Sequence, residues 1–180
     1  MLHPPPTLKT VTFSNICNIP PQNPPPRLGS RTRAILPIHL GTTNMTRFTL
    51  EIETDGSNDI INLHVPLKPR LRELKGEGVL HLFIVGSTAA LTTMEYETGL
   101  VKHDMAEVLQ RLVPDDAKYV HEATWNDDNG HSHVRAALVG PSLTIPFADG
   151  RLLTGEYQQI VLMEFDTRPR RRTIICTALP

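Results

Sequence analysis

The chain has 180 residues, 39% apolar and 21% charged, with a formal net charge of −1. This is the profile and length of one ordinary globular domain, which excludes a large multidomain enzyme; no apolar run nears the roughly 20 residues of a membrane span, and the charge is too balanced for a nucleic-acid partner. Cys17 and Cys176 are the two cysteines and lie near opposite ends, so one subunit can build neither a disulfide framework nor a four-cysteine zinc site, and any metal must rest on His, Asp or Glu.

Residues 1–45 hold Lys9, Arg27, Arg31 and Arg33 but no acid, and nine of the 16 prolines fall in the first 37 residues. The clusters Pro4-Pro5-Pro6, Pro20-Pro21 and Pro24-Pro25-Pro26 favour extended, unpaired backbone, so 1–45 reads as a disordered, Pro-rich leader and 46–180 as the domain. An acid-free, Arg-bearing N-terminus has the composition of a transit peptide, but such peptides act as amphipathic helices, which this proline density breaks. The expected location is cytoplasmic, with mitochondrial targeting by the leader as the alternative.

In the domain, Phe48, Leu50 and Ile52 alternate with Thr49, Glu51 and Glu53, which predicts a strand over 46–54. Pro66 opens a short helix through Leu74, ended by Gly76 and Gly78. Val79–Val85 fits a buried strand, Gly86 a hairpin or bend, and Ala89–Glu95 a further strand. Met105, Val108, Leu109 and Leu112 at helical spacing predict a helix from Asp104, stopped by Pro114, with Asp104 complementing its positive end. Another helix opens after Gly130 and closes at Gly140-Pro141. The strands Leu143–Pro146, Arg151–Leu153, Gln158–Phe165 and Thr173–Ala178 follow, divided by the turn signals Ala148-Asp149-Gly150 and Thr167-Arg168-Pro169. The fold class is therefore α+β, mainly antiparallel sheet in a sandwich-like arrangement with two or three short helices.

Chemistry concentrates in the middle of the chain, where five of the eight histidines lie between His81 and His133. The stretch His121 to His133 is the densest polar segment; it reads as a loop whose imidazoles suit Zn²⁺ or a similar ion, or else as solvated turns around Asp127 to Gly130. Ser87-Thr88 at the Gly86 bend offers hydroxyls and backbone N–H groups to an anion, and Gly140-Pro141-Ser142 is a second such bend. Tyr157 and Gln158 begin a strand beside Gly155, facing a pocket or packing in a sheet. Four arginines in the run Arg168-Pro169-Arg170-Arg171-Arg172 read as a solvated hairpin turn. There is no Gly-rich phosphate loop, nucleophile elbow or metalloprotease helix, and Cys176 in an apolar strand is a poor nucleophile.

The order of Gly86-Ser87-Thr88-Ala89-Ala90, Glu95, His103-Asp104-Met105, Val113-Pro114-Asp115, Tyr119-Val120-His121, Asn129-Gly130-His131-Ser132-His133, Gly140-Pro141-Ser142-Leu143 and Gly155-Glu156-Tyr157-Gln158-Gln159 resembles the YjbQ family, also called the secondary thiamine-phosphate synthase family, over 46–180. Gly86 stands where some members carry His, and Tyr157 where many carry Trp. The resemblance implies a homotrimer with sites near subunit boundaries and a weak ability to join pyrimidine and thiazole-phosphate precursors into thiamine phosphate. On that expectation His103, His121 and His133 ligate a divalent metal, zinc or magnesium, beside the acids Glu95, Asp104 and Glu122. Ser87, Thr88, Ser142 and Gln158 hold the phosphate of a small metabolite. The alternative is a non-catalytic trimeric metal- or anion-binding protein.

Overall fold

Alternating apolar and polar side chains form β1 (Thr46–Thr54) as predicted, with Phe48, Leu50 and Ile52 packed on the core and Thr49, Glu51 and Glu53 exposed. This computed structural model describes residues 45–180. All of the leader but Met45, with Cys17 and the targeting alternative, lies outside the described residues.

After β1 come β2 (Asp59–Asn62), α1 (His64–Leu71), β3 (Glu77–Val85), β4 (Ala89–Met94), a π-helical turn at Leu100–Asp104, α2 (Met105–Leu112), α3 (Val120–Trp125), α4 (Gly130–Val139), β5 (Ser142–Ala148), β6 (Arg151–Leu152), β7 (Gln159–Glu164) and β8 (Arg170–Leu179). All strand pairs are antiparallel, in a five-stranded sheet of order β1-β8-β3-β5-β6 and a three-stranded sheet of order β2-β7-β4. One face of each sheet shares a core: Leu80, Leu82, Ile84, Ile174 and Cys176 from the larger sheet meet Leu91, Ile160 and Leu162 from the smaller, with Leu67 and Leu71 of α1 at the edge. Because side chains alternate along a strand, Val161 and Met163 of β7 point the other way, where they pack with Ala90, Leu109 of α2 and Ala136 of α4. β7 is thus buried on both faces and reads as a continuous apolar run. Each such Leu, Ile or Val contributes roughly 1.5–3 kcal/mol when fully buried, so this strand anchors both layers.

The α+β class and antiparallel sheet are as expected, and several local expectations need correction. α1 begins at His64, two residues before Pro66, because Asn62 Oδ1 accepts the His64 N–H at 2.8 Å and the first turn does not need the N–H that proline lacks. The Gly86 segment is a bend rather than a hairpin, since β3 and β4 belong to different sheets. The helix expected from Asp104 is α2, with Asp104 at its N-cap position, but Asp104 does not sit at the free positive end of the helical path. The helical path begins a turn earlier, and it is Glu97 whose carboxylate accepts the N–H groups of Gly99, at 2.7 Å, and Leu100. Most of the predicted loop 121–133 is helical, with α3 closed by Asn126 in the left-handed region and only residues 126–129 left between α3 and α4. The arginine run is not a solvated hairpin turn: Arg170, Arg171 and Arg172 open β8, and Arg172 points into the interior.

Gly130 shows why α3 and α4 can meet at so short a link. A Cβ there would stand 2.3 Å from Tyr119 Cβ, so only glycine lets the start of α4 pass over the Tyr119 side chain. Tyr119 is itself fixed by donating its hydroxyl to Pro114 O at 2.5 Å.

Candidate functional site

Three segments converge on one cleft of about 400 Å³. The bend between β3 and β4 brings Gly86, Ser87 and Thr88; the start of α4 brings Asn129 and His133; the β7–β8 connection and the first residues of β8 bring Asp166, Arg170, Arg171 and Arg172. An adjoining, more apolar groove of about 440 Å³ shares Gly86, Ser87 and His133 and is walled by Phe83, Ala136, Ala137 and Pro141. Together they offer a cationic end and an apolar end to one ligand, the usual composition of a small-molecule site.

The floor of the cationic end is a buried ion-pair network. Glu164, with no exposed surface, accepts from Arg172 Nε and Nη2 through its two oxygens, each at 2.6 Å, and also from Thr54 Oγ at 3.0 Å and the Asp166 N–H at 2.9 Å. Its lone pairs are filled, which is what makes a buried carboxylate tolerable. Thr88 donates its single hydroxyl proton to Asp166 Oδ2 at 3.0 Å and accepts from Arg172 Nη2 at 2.6 Å, so this hydroxyl is already engaged by the protein. Burial pushes the Asp166 carboxyl up, but hydrogen bonds from Arg170 and Thr88, the Arg170 charge and the Arg168 N–H outweigh it and hold the group below the usual carboxylate range. Arg170 pairs with Asp166 at 2.9 Å while remaining partly exposed, and the exposed Arg171 leans toward Glu51 at 3.4 Å.

Of the residues singled out from sequence, Ser87, Thr88 and His133 meet at this cleft. His121 stands next to it, its ring centroid 4.4 Å from that of His133 and its Nε2 3.5 Å from Asp127 Oδ2. The others lie elsewhere. Glu95 is exposed after β4, and His103 and Asp104 are exposed in the π-helical turn. Ser142 is exposed at the start of β5, opposite Phe83. Gln158 uses its amide to hold its own turn, donating to Thr93 Oγ at 3.0 Å and accepting from the Gly155 N–H at 3.1 Å. Glu122 is half-buried on α3, its Oε1 toward Gly130. Among the described residues no three His, Cys, Asp or Glu side chains stand together in a metal-holding group, so within one chain His103, His121 and His133 do not fit a three-ligand ion site. Burial pushes the Cys176 thiol up to about 12, in keeping with its exclusion as a nucleophile.

The family model described as UPF0047 protein YjbQ-like matches residues 48–180. The chain belongs to the YjbQ-like UPF0047 family. A UPF0047 protein of Methanocaldococcus jannaschii is 31% identical over 126 residues, covering 69% of this chain and 88% of the relative. The UPF0047 protein YjbQ of Escherichia coli O157:H7 is 38% identical over 100 residues, covering 56% and 72%. Among solved structures, a hypothetical protein of Aeropyrum pernix superposes with a TM-score of 0.67 at 26% identity, over 75% of this chain and 98% of the other. A YjbQ/UPF0047 protein of Clostridium acetobutylicum gives 0.60 at 28%, over 73% and 99%. Among the described residues of this YjbQ-like chain, no helix is long and apolar enough to cross a membrane.

Sequence reasoning missed the arginines and Asp166. The available signal was the density of arginine at the start of an otherwise apolar strand: an inward-facing position there must bury a guanidinium, and a buried guanidinium demands an acid nearby. It also missed His131, which is buried on α4 with its ring toward Tyr119 and no partner for Nδ1 among the described residues.

Burial, and then the charge of Arg135, lower the His131 pKa against the opposing pull of Asp115, Glu122 and Asp128; burial lowers that of His64 as well. Neutral imidazole is therefore favoured in the folded chain, while the unfolded chain takes up protons through the ordinary imidazole range. The stability from this preference is complete above that range and is lost as pH falls through the lowered folded values. Thermal midpoints should drop between pH 7.5 and 5, and His131→Gln should flatten that slope; an unchanged slope in the variant would refute the assignment.

Proposed function

We propose that the chain is a small-molecule transferase whose phosphorylated substrate lies in this cleft, and that its reaction is of the thiamine-phosphate synthase type: the ring nitrogen of a thiazole phosphate forms a C–N bond to the methylene carbon of a pyrimidine-methyl diphosphate as that carbon's C–O bond breaks and pyrophosphate leaves. The observation that carries this reading is the convergence of Ser87 and His133 with Arg170, Arg171 and Arg172 beside an apolar groove. Phosphate oxygens suit guanidinium and hydroxyl donors, the ring systems suit the Phe83 and Pro141 end, and cationic donors lower the barrier to departure of pyrophosphate. His133 is the group placed to donate a proton or positive charge to the leaving group, with His121 against its ring.

Incubating the full chain with both precursors and quantifying thiamine phosphate tests the reading. Ser87→Ala should slow formation and His133→Ala should cut it by roughly 100-fold; wild-type protein yielding no product above the protein-free rate overturns it.

The second reading is a trimeric, non-catalytic holder of a metal or anion. It is favoured by the close His121–His133 pair and by the exposed apolar side chains of Val120, Trp125 and Leu138 on α3 and α4, which suit contact with another copy. A three-histidine zinc or magnesium site requires a second copy to supply the missing ligand. Metal content and mass by light scattering, measured on wild-type and on His103→Ala, His121→Ala and His133→Ala, separate the readings. Metal lost in all three with the assembly intact, and no synthase activity in wild-type, supports the holder.

A further inference from the structure

The most buried cation of the cleft keeps a donor unused by the protein. Arg172 has a side chain only 9% exposed. Its Nε and Nη2 are directed at Glu164 and Thr88, whereas Nη1 takes no partner among the described residues. Gly86, in the left-handed region at φ +134°, lies directly over that nitrogen: a Cβ on residue 86 would stand 2.9 Å from Arg172 Nη1. Both residues line the cleft. The absent side chain therefore leaves a gap through which a buried guanidinium edge reaches the ligand space.

We propose that Arg172 Nη1, presented through the gap at Gly86, is the fixed anchor for a phosphoryl oxyanion in the cleft, with Ser87 and Arg170 closing around the same group. This rests on the reading of the cleft as an anion site and names the residue that gives it specificity. Arg170 and Arg171 are partly or largely exposed and movable, and such side chains must be ordered when a ligand binds. Arg172 is already held in a two-point pair with Glu164, which also fixes the plane of its guanidinium. A phosphate or diphosphate group, with oxygens spread over a tetrahedron, can accept from Nη1 on one oxygen and from Ser87 and Arg170 on others. Glu164 is then a positioning residue: it touches no ligand and sets the direction of the donor that does.

The test is titration of the full chain with inorganic pyrophosphate and, separately, inorganic phosphate, followed by calorimetry. Saturable binding is expected, weakened about 10–100-fold by Gly86→Ala, whose methyl group fills the gap, as suits one charge-assisted hydrogen bond. The positive φ strains that variant, so the double change Arg172→Gln with Glu164→Gln provides an independent one that leaves no unpaired buried charge; it should lose binding to a similar degree while unfolding cooperatively. If neither variant folds, arginine N–H resonances of the wild-type chain decide, because pyrophosphate must shift those of the solvent-protected guanidinium. Absence of saturable binding, a folded double variant that binds as wild-type does, or an unshifted Arg172 signal overturns the proposal. Arg172-dependent pyrophosphate binding without thiamine phosphate formation sinks the synthase reading alone, and product formation without such binding sinks this one alone.

Discussion

Glu164→Gln should be among the most destabilising single changes in the domain, lowering unfolding free energy by about 3–5 kcal/mol. The carboxylate has no exposed surface and accepts from Arg172, Thr54 and the Asp166 backbone. A glutamine fills the same volume but brings an NH₂ group against the guanidinium and leaves the charge of Arg172 buried without its counter-ion. The loss thus comes from the stranded partner more than from the bond itself, which gives the prediction a second half: combining Glu164→Gln with Arg172→Met should recover much of the loss. Urea unfolding of the two variants checks both halves. Midpoints that fall equally in the single and double variants would mean that the pair contributes net stability through its attraction and not by mutual neutralisation.

The sequence is informative wherever a residue's role depends on its own neighbours in the chain. β1 was legible because Phe48, Leu50 and Ile52 alternate with polar residues, and α4 because Gly130 and Gly140 bracket it. What depends on partners distant in sequence was not. Arg172 meets Thr88, 84 residues away, and Glu164, eight residues before it across the β7–β8 connection, so a run of arginines beside turn residues looks solvated until the two strands are placed. The helix α3 escaped detection because none of its side chains is buried, leaving no apolar stripe for periodicity to register. The same limit applied to the site. Ser87 and His133 were recognisable as polar groups beside glycine bends, but their meeting is created by packing α4 on the three-stranded sheet. The acids Glu95 and Asp104, by contrast, remain exposed at the surface of the chain.

Arg135→Met is expected to cost on the order of 3 kcal/mol, for a reason opposite to that at Glu164. Arg135 is 1% exposed on α4, yet no carboxylate lies within ion-pair reach among the described residues. Its charge is met by oxygen dipoles: Nε and Nη2 donate to Val113 O at 3.0 and 2.7 Å, Nη1 to Asn58 Oδ1 at 3.0 Å, and Nη2 to Gln110 Oε1 at 3.0 Å. One guanidinium thereby ties the end of α2 and the turn after β1 to α4. Methionine matches the length and removes a charge that is costly to bury, which is a gain, but it leaves the buried Val113 carbonyl without its two donors and the half-buried Asn58 oxygen without its guanidinium partner, while Gln110 Oε1 keeps only the Asp115 N–H at 3.3 Å; each buried group stranded in this way costs about 1–3 kcal/mol. The second effect should exceed the first. Because α2 and α4 pack on the three-stranded sheet, amide hydrogen exchange should accelerate first at the end of α2 and in residues 55–58, with the β7–β8 core retaining protection. A variant as stable as wild-type would show that water or local rearrangement satisfies those oxygens, and that Arg135 is tolerated in the interior without holding it together.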